Sequence, residues 1–380
     1  MKPLLSAVTF GSFLSVLLVF SLCMALPAFA ATVTQSRKPV ANQVTATYVN
    51  TTLTEDTAWR GLIIVKGFFV VAPQTTLRIE PGTIVRFMAA PGSRQLPRLI
   101  VMGRIQSIGT ADRPILFAPH QALSNKGDWG GILLLSSEKR NQFEYCHIEG
   151  AETGLEGRFS TVTAKALSIT RSTTGCILRD STASLISPNV NACDTGLEAH
   201  DSEVELRDAA LAANRIGMSM FRSSVVMASS TISGSSQQAI LSEDCRLKFN
   251  SCEISDNVAG AQISGGEGQI FLSRFVRNRE TALHLATARL KVSRCQISGN
   301  IRVGLRLDDD RATIWGNAIS DNGGYNLLYS GRDMVNVMQN WWGHGDESSI
   351  MVKLSAPAAV QGAGAIKLFP WLSEKPAIFP

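Results

Sequence analysis

RCQISGNIRVGLRLDDD, residues 294–310, carries three marks that recur along most of the chain. The first is Ile297. Steps of 21 or 22 residues lead back from it through Phe275, Ile254, Ile232, Leu211, Val190 and Ile169 to Ile148. They lead forward to Ile319, and one further step of 22 falls on Trp341. A fixed period of this length is the signature of stacked coils, each burying its apolar face only against its neighbours.

The second mark is a small residue followed by apolar positions one and three further on. It begins at Gly154, Gly175, Gly196, Gly217, Ala239, Gly260, Ala282, Gly304 and Asn326, with pairs such as Leu283/Leu285 and Leu305/Leu307. Alternation with period two is that of a strand with one buried face. Helical repeats would need a spacing near 3.6. The third mark is Asn214, Ser235, Asn257, Asn278, Asn300 and Asn322, three residues after the first column. Stacked Asn side chains can bond from coil to coil as a ladder, and Asn tolerates the left-handed backbone that such a turn needs. Together the marks predict an all-β, single-stranded parallel β-helix, a solenoid of 21–22-residue coils.

The N-terminal third fits the same plan in the phrases WRGLIIVKGFFVVAPQTTLRIEPGTIVRF (59–87), LIVMGRIQSIGTADRPILFAP (99–119) and DWGGILL (128–134). With NWWG at 340–343 and FPWL at 369–372, they resemble the bacterial right-handed parallel β-helix repeat proteins of the pectate-lyase-like superfamily. The resemblance covers about residue 57 to the C-terminus. It implies right-handed winding and an exported protein. Because that superfamily mixes sugar-active enzymes, adhesins and metal-site assembly factors, it implies no single activity.

The expected organisation is a cleaved signal peptide over 1–30, a leader and cap over 31–56, the β-helix over 57–343, and a C-terminal cap over 344–380. Lys2, the apolar run at 13–22 and Ala28-Phe29-Ala30 fit a signal sequence, which leaves no transmembrane segment in the mature chain. Leu22 is too large for a normal lipid-attachment site at Cys23. Export places the protein in the periplasm or outside the cell. Trp59 and Trp129 are expected to plug coil corners. Thirty-six Lys and Arg against 31 Asp and Glu give a net charge of +5, with no basic block and no interleaved aromatics, so nucleic acid is not an expected partner.

Within a Gly-apolar strand, positions two and four after the small residue should face solvent. These columns hold two candidate clusters. His284, Arg306 and Asp308 lie on adjacent coils and could bind a uronate and move a proton. Asp308, Asp309 and Asp310 supply three carboxylates at one turn, where Ca²⁺ could bind, although no cofactor is required. Arg179, Glu198 and His200 form the second cluster, with Phe221 and Gln262 between the two as ligand-binding candidates. Exposed aromatics can stack on sugar rings. The six cysteines from Cys146 to Cys295 and Met218, Met220 and Met227 fall largely on inward or corner positions, as core rather than disulfides or metal ligands. The leading expectation is non-catalytic binding of carbohydrate, or another envelope component, along the sheet face. A polysaccharide lyase or related enzyme and a periplasmic copper-site accessory protein stay open as alternatives.

Overall fold

The computed structural model describes residues 43–121, 124–137, 140–355 and 366–377. The segment 1–30, expected to be a signal peptide, the first part of the expected cap and parts of the C-terminal segment lie outside the described residues. The rest is a parallel β-solenoid. A 12-stranded sheet runs from Thr57–Trp59 to Thr313–Trp315, and two further faces make up a 25-stranded assembly.

One coil explains the rest. Its first strand, Thr281–Ala286, turns inward Leu283 and Leu285; its second, Arg289–Ser293, turns inward Leu290 and Val292; its third, Gln296–Ser298, turns inward Ile297. All five are at most 2% exposed. Left-handed residues make the corners: Thr287 (φ 54°), Arg294 (φ 51°) and Gly299 (φ 67°). The next residue at each corner, Ala288, Cys295 or Asn300, tucks under the following strand and is buried.

The ladder is present, with one correction to the expected turn. The backbone amides of Asn257, Asn278 and Asn300 each donate to Oδ1 of the next coil's Asn, at 3.1, 2.9 and 3.2 Å. Their side-chain amides reach back to the carbonyls of Ile232, Ile254 and Phe275, each at 3.0 Å. The left-handed residue is not the Asn but the one before it: Ala213, Gly234, Asp256, Arg277, Gly299 and Asp321. The chain reverses there with an outward side chain, leaving the Asn free to aim its amide along the stack.

The other two corners carry ladders of their own. Amides of Ser160, Ser181 and Ser202 each donate to the next coil's Ser Oγ at 3.1 Å, and the amide of Ser223 meets Cys245 Sγ at 3.4 Å. The amide of Cys295 donates to Asn317 Oδ1 (2.9 Å), and that of Asn317 to Asn340 Oδ1 (3.0 Å). Cys146, Cys193, Cys245, Cys252 and Cys295 follow left-handed corner residues, and Cys176 faces inward on a strand. All six are buried and unbridged.

The second ladder corrects the last step of the period. Ala318 bridges to Trp341, so the core position beside Ile319 belongs to Trp342, which is fully buried. The 23-residue span from Asn317 to Asn340 moves the register by one.

Both ends of the stack are covered. Strand Val44–Leu53 pairs in parallel with Leu62–Val71, and Tyr48 stacks on Trp59 at 5.5 Å. Trp59 and Trp129 are buried, and Trp129 lies on Phe87 at 4.0 Å. At the other end the short helix Glu347–Val352 buries Ile350, and Lys353 Nζ donates to the carbonyls of Asn322 and Gly323 at 3.1 and 3.0 Å. Among the described residues no helix is long and apolar enough to cross a membrane.

Candidate functional site

The face built by the Gly-apolar strands positions the candidate residues. Inter-coil pairing sets Glu198, Ser219, Leu241, Gln262, His284 and Arg306 in one outward column. Arg179, His200, Phe221, Glu243 and Ser264 form the column beside it. Period-two alternation fixes both columns, because the intervening residues must fill the core.

His284, Arg306 and Asp308 meet. His284 Nε2 lies 2.7 Å from Asp308 Oδ2, and Arg306 Nε donates to Asp308 Oδ1 at 2.9 Å. Burial opposes ionisation of Asp308, but the hydrogen bonds and charges of His284 and Arg306 outweigh it and hold the carboxyl below its usual range. With both oxygens engaged, Asp308 orients its partners more readily than it accepts a substrate proton. Arg306 also borders a cavity of about 560 Å³ that includes Tyr325, Ile301 and Leu328.

The second cluster also meets. His200 Nε2 lies 2.8 Å from Glu198 Oε1, and Arg179 Nη2 donates to the same oxygen at 3.3 Å. Phe221 is partly exposed, and the Arg222 guanidinium covers one ring face at 4.1 Å from the centroid. The His200 ring lies 6.3 Å from the Phe221 ring, tilted. Between the clusters is a cavity of about 730 Å³, lined by His200, Ser219, Phe221, Leu241, Glu243 and Gln262. Gln262 pairs in register with His284, so the cavity continues toward the first cluster.

Two placements depart from the expected arrangement, and a third agrees with it. Glu156 stands in the outward column but is only 4% exposed, because Arg158 Nε donates to it at 2.6 Å and Arg98 lies at 3.9 Å. Arg98 comes from the N-terminal third, where the period is irregular and gave no register. The carboxylates at 308–310 diverge. Asp309 accepts from the backbone amides of Thr287 and of Arg311, the latter at 2.9 Å, while Asp310 is exposed and borders a cavity on the next face. Asp309 thus closes the turn rather than sharing a cage with Asp308. Finally, Cys and Met side chains are taken up by the core. Burial pushes Cys146, Cys176 and Cys295 up to about 12, and Met218, Met220 and Met227 are buried. Among the described residues no group of three or more His, Cys, Asp or Glu could hold a metal ion.

Coils and corner ladders define the fold class, a parallel β-helix, and the family models that match it make the winding right-handed. The model of the pectate-lyase like beta helix domain matches residues 45–161, and that of the right handed beta helix region matches 123–275. Among solved structures, the A-module of the Azotobacter vinelandii mannuronan C-5 epimerase AlgE6 is similar at 11% identity and TM-score 0.48, over 83% of this chain and 91% of that one. The periplasmic alginate epimerase AlgG aligns at 12% identity and TM-score 0.43, over 83% and 77%. Pectate lyase Pel9A aligns at 12% identity and TM-score 0.30, over 81% and 72%. These likenesses concern the fold. No curated protein sequence matches the chain.

Proposed function

We propose that the protein is exported and binds a polysaccharide, without turnover, along the face that carries His200, Phe221, Gln262 and His284. The observation that carries this reading is the cavity of about 730 Å³ between the two charged clusters. It offers a partly exposed aromatic ring, an amide and hydroxyls, the groups that recognise sugar rings and their hydroxyls. Export rests on the signal-like sequence of residues 1–30. A glycan array followed by calorimetry tests binding, and Phe221→Ala and Gln262→Ala should each weaken it about tenfold. A mature N-terminus at Ala31 tests export. Absence of any glycan ligand, or binding untouched by both variants, would sink the reading.

One observation favours a second reading, a polysaccharide-active enzyme. Asp308 holds His284 at 2.7 Å beside a guanidinium, an arrangement in which the imidazole acts as base and Arg306 neutralises an acidic sugar. Turnover of a uronate polymer that disappears in His284→Ala would establish it over simple binding.

A further inference from the structure

The basic residues look scattered in sequence, but the second face of the coil gathers them. Its strands Arg246–Asn250, Glu267–Phe271, Arg289–Ser293 and Thr313–Trp315 stack in register. Their outward positions form a grid. One column reads Arg246, Glu267, Arg289; the next Lys248, Gln269, Lys291, Thr313; the third Asn250, Phe271, Ser293, Trp315. Arg294 leans over Phe271 at 5.9 Å, and Arg311 shares a cavity with Arg289 at the corner.

Six cations therefore stand around one strand carboxylate, Glu267, which Arg246 binds at 3.0 Å. Asp244 shares the corner cavity with Arg289 and Arg311, Asp309 accepts from the Arg311 amide and Asp310 borders the next cavity, so the patch keeps a net surplus of two positive charges. Earlier on the same face Glu205 and Arg207 neutralise each other. Beside it are apolar groups that the core does not use. Trp315 is 49% exposed and Met334 61% exposed, and they line one cavity.

We propose that this second face docks the protein onto an anionic phospholipid surface. Cations spread in two dimensions, on alternate coils and so about 10 Å apart along each column, match a sheet of headgroups. A rim of Trp and Met suits the boundary between headgroup and acyl chain. A linear polymer would instead be served by a groove along a single column, whereas these cations lie in two columns. The long Lys and Arg side chains let the strands lie parallel to the membrane. This docking leaves the first face, with its groove, turned elsewhere.

Flotation of the purified protein with vesicles tests the proposal. Phosphatidylcholine vesicles should not carry the protein, whereas vesicles with one third phosphatidylglycerol should, less so as salt rises. The double variant Lys248→Glu/Lys291→Glu should lower partitioning about tenfold or more, while Arg215→Glu should not. Trp315→Phe should abolish the vesicle-induced blue shift of tryptophan emission. Far-UV circular dichroism establishes that each variant folds, and Lys248→Gln/Lys291→Gln replaces a charge reversal that does not. No partitioning into anionic vesicles at low salt would overturn the proposal, as would partitioning unchanged in both double variants. Binding of dextran sulfate without vesicle binding would overturn it too, and would assign the patch to an acidic polymer.

Discussion

Replacing Asn300 with Ala tests the ladder that joins the coils. Asn300 is 1% exposed, so water cannot take over its bonds. Its Oδ1 receives the backbone amide of Asn278 at 2.9 Å and that residue's side-chain amide at 3.1 Å. Its Nδ2 donates to the Phe275 carbonyl at 3.0 Å and to Asn322 Oδ1 at 2.8 Å. After Asn300→Ala, the Asn278 side chain keeps its bond to Ile254, and Asn322 Oδ1 keeps the backbone amide of residue 300. The Asn278 amide keeps no replacement, whereas the Phe275 carbonyl loses one donor but stays in the strand ladder with the next coil. One orphaned buried amide at about 1–3 kcal/mol gives an expected loss of about 2 kcal/mol. Stacked repeats open locally, so urea denaturation should be combined with hydrogen exchange at the Asn278 amide, which should exchange faster than amides several coils away. Asn250→Ala, on an exposed position, should stay within about 0.5 kcal/mol. A loss below about 1 kcal/mol for Asn300→Ala, or one matched by Asn250→Ala, would refute the ladder as a source of stability.

Other outcomes follow from the same geometry. Ser235 interrupts the Asn column, and its buried Oγ has no hydrogen-bond partner among the described residues, so Ser235→Asn should stabilise by about 1 kcal/mol in urea. A Cβ on Gly260 would lie 2.0 Å from the Ala282 carbonyl oxygen, whereas one on Gly299 meets nothing within 4 Å. Gly260→Ala should therefore cost about 3 kcal/mol in thermal and urea melts, and Gly299→Ala only the left-handed strain of about 1–2 kcal/mol. The Asp308 carboxyl titrates below its unfolded value, so the folded state binds its proton less readily. Its contribution is present above the ordinary carboxylate range and is lost as pH falls through the lowered native value. The gap between wild type and Asp308→Asn in urea midpoint should thus shrink from pH 7 toward pH 3. A gap independent of pH would contradict the pairing with His284 and Arg306.

Much of the site was legible in the sequence because a coil of near-constant length makes register a matter of counting. Gln262, His284 and Arg306 fall in one outward column on both grounds, and Arg179 beside His200 likewise. Counting fails where coil length changes. It gives no neighbour for Glu156, because Arg98 comes from an irregular coil, and it places Trp341 where Trp342 belongs, because one corner-to-corner span is a residue longer. It also hides ladders whose rungs change identity. Ser, Cys and Asn share corner positions because each is compact enough to sit beneath a strand and can accept an amide hydrogen.

By itself the sequence determined the coil period, the parallel strands and which side chains point inward, since a strand alternates its faces with period two and the core admits only apolar or self-satisfied groups. Only the tertiary structure decided which outward groups meet. Asp308 and Asp309 are chain neighbours, yet one binds His284 and Arg306 while the other binds the turn amides at Thr287 and Arg311. Lys248 and Lys291 are 43 residues apart in the chain, yet only one coil separates them on the same flat face. The physical reason is that winding sets proximity across the stack, about 4.8 Å per coil, while the intervening chain runs around the core and back.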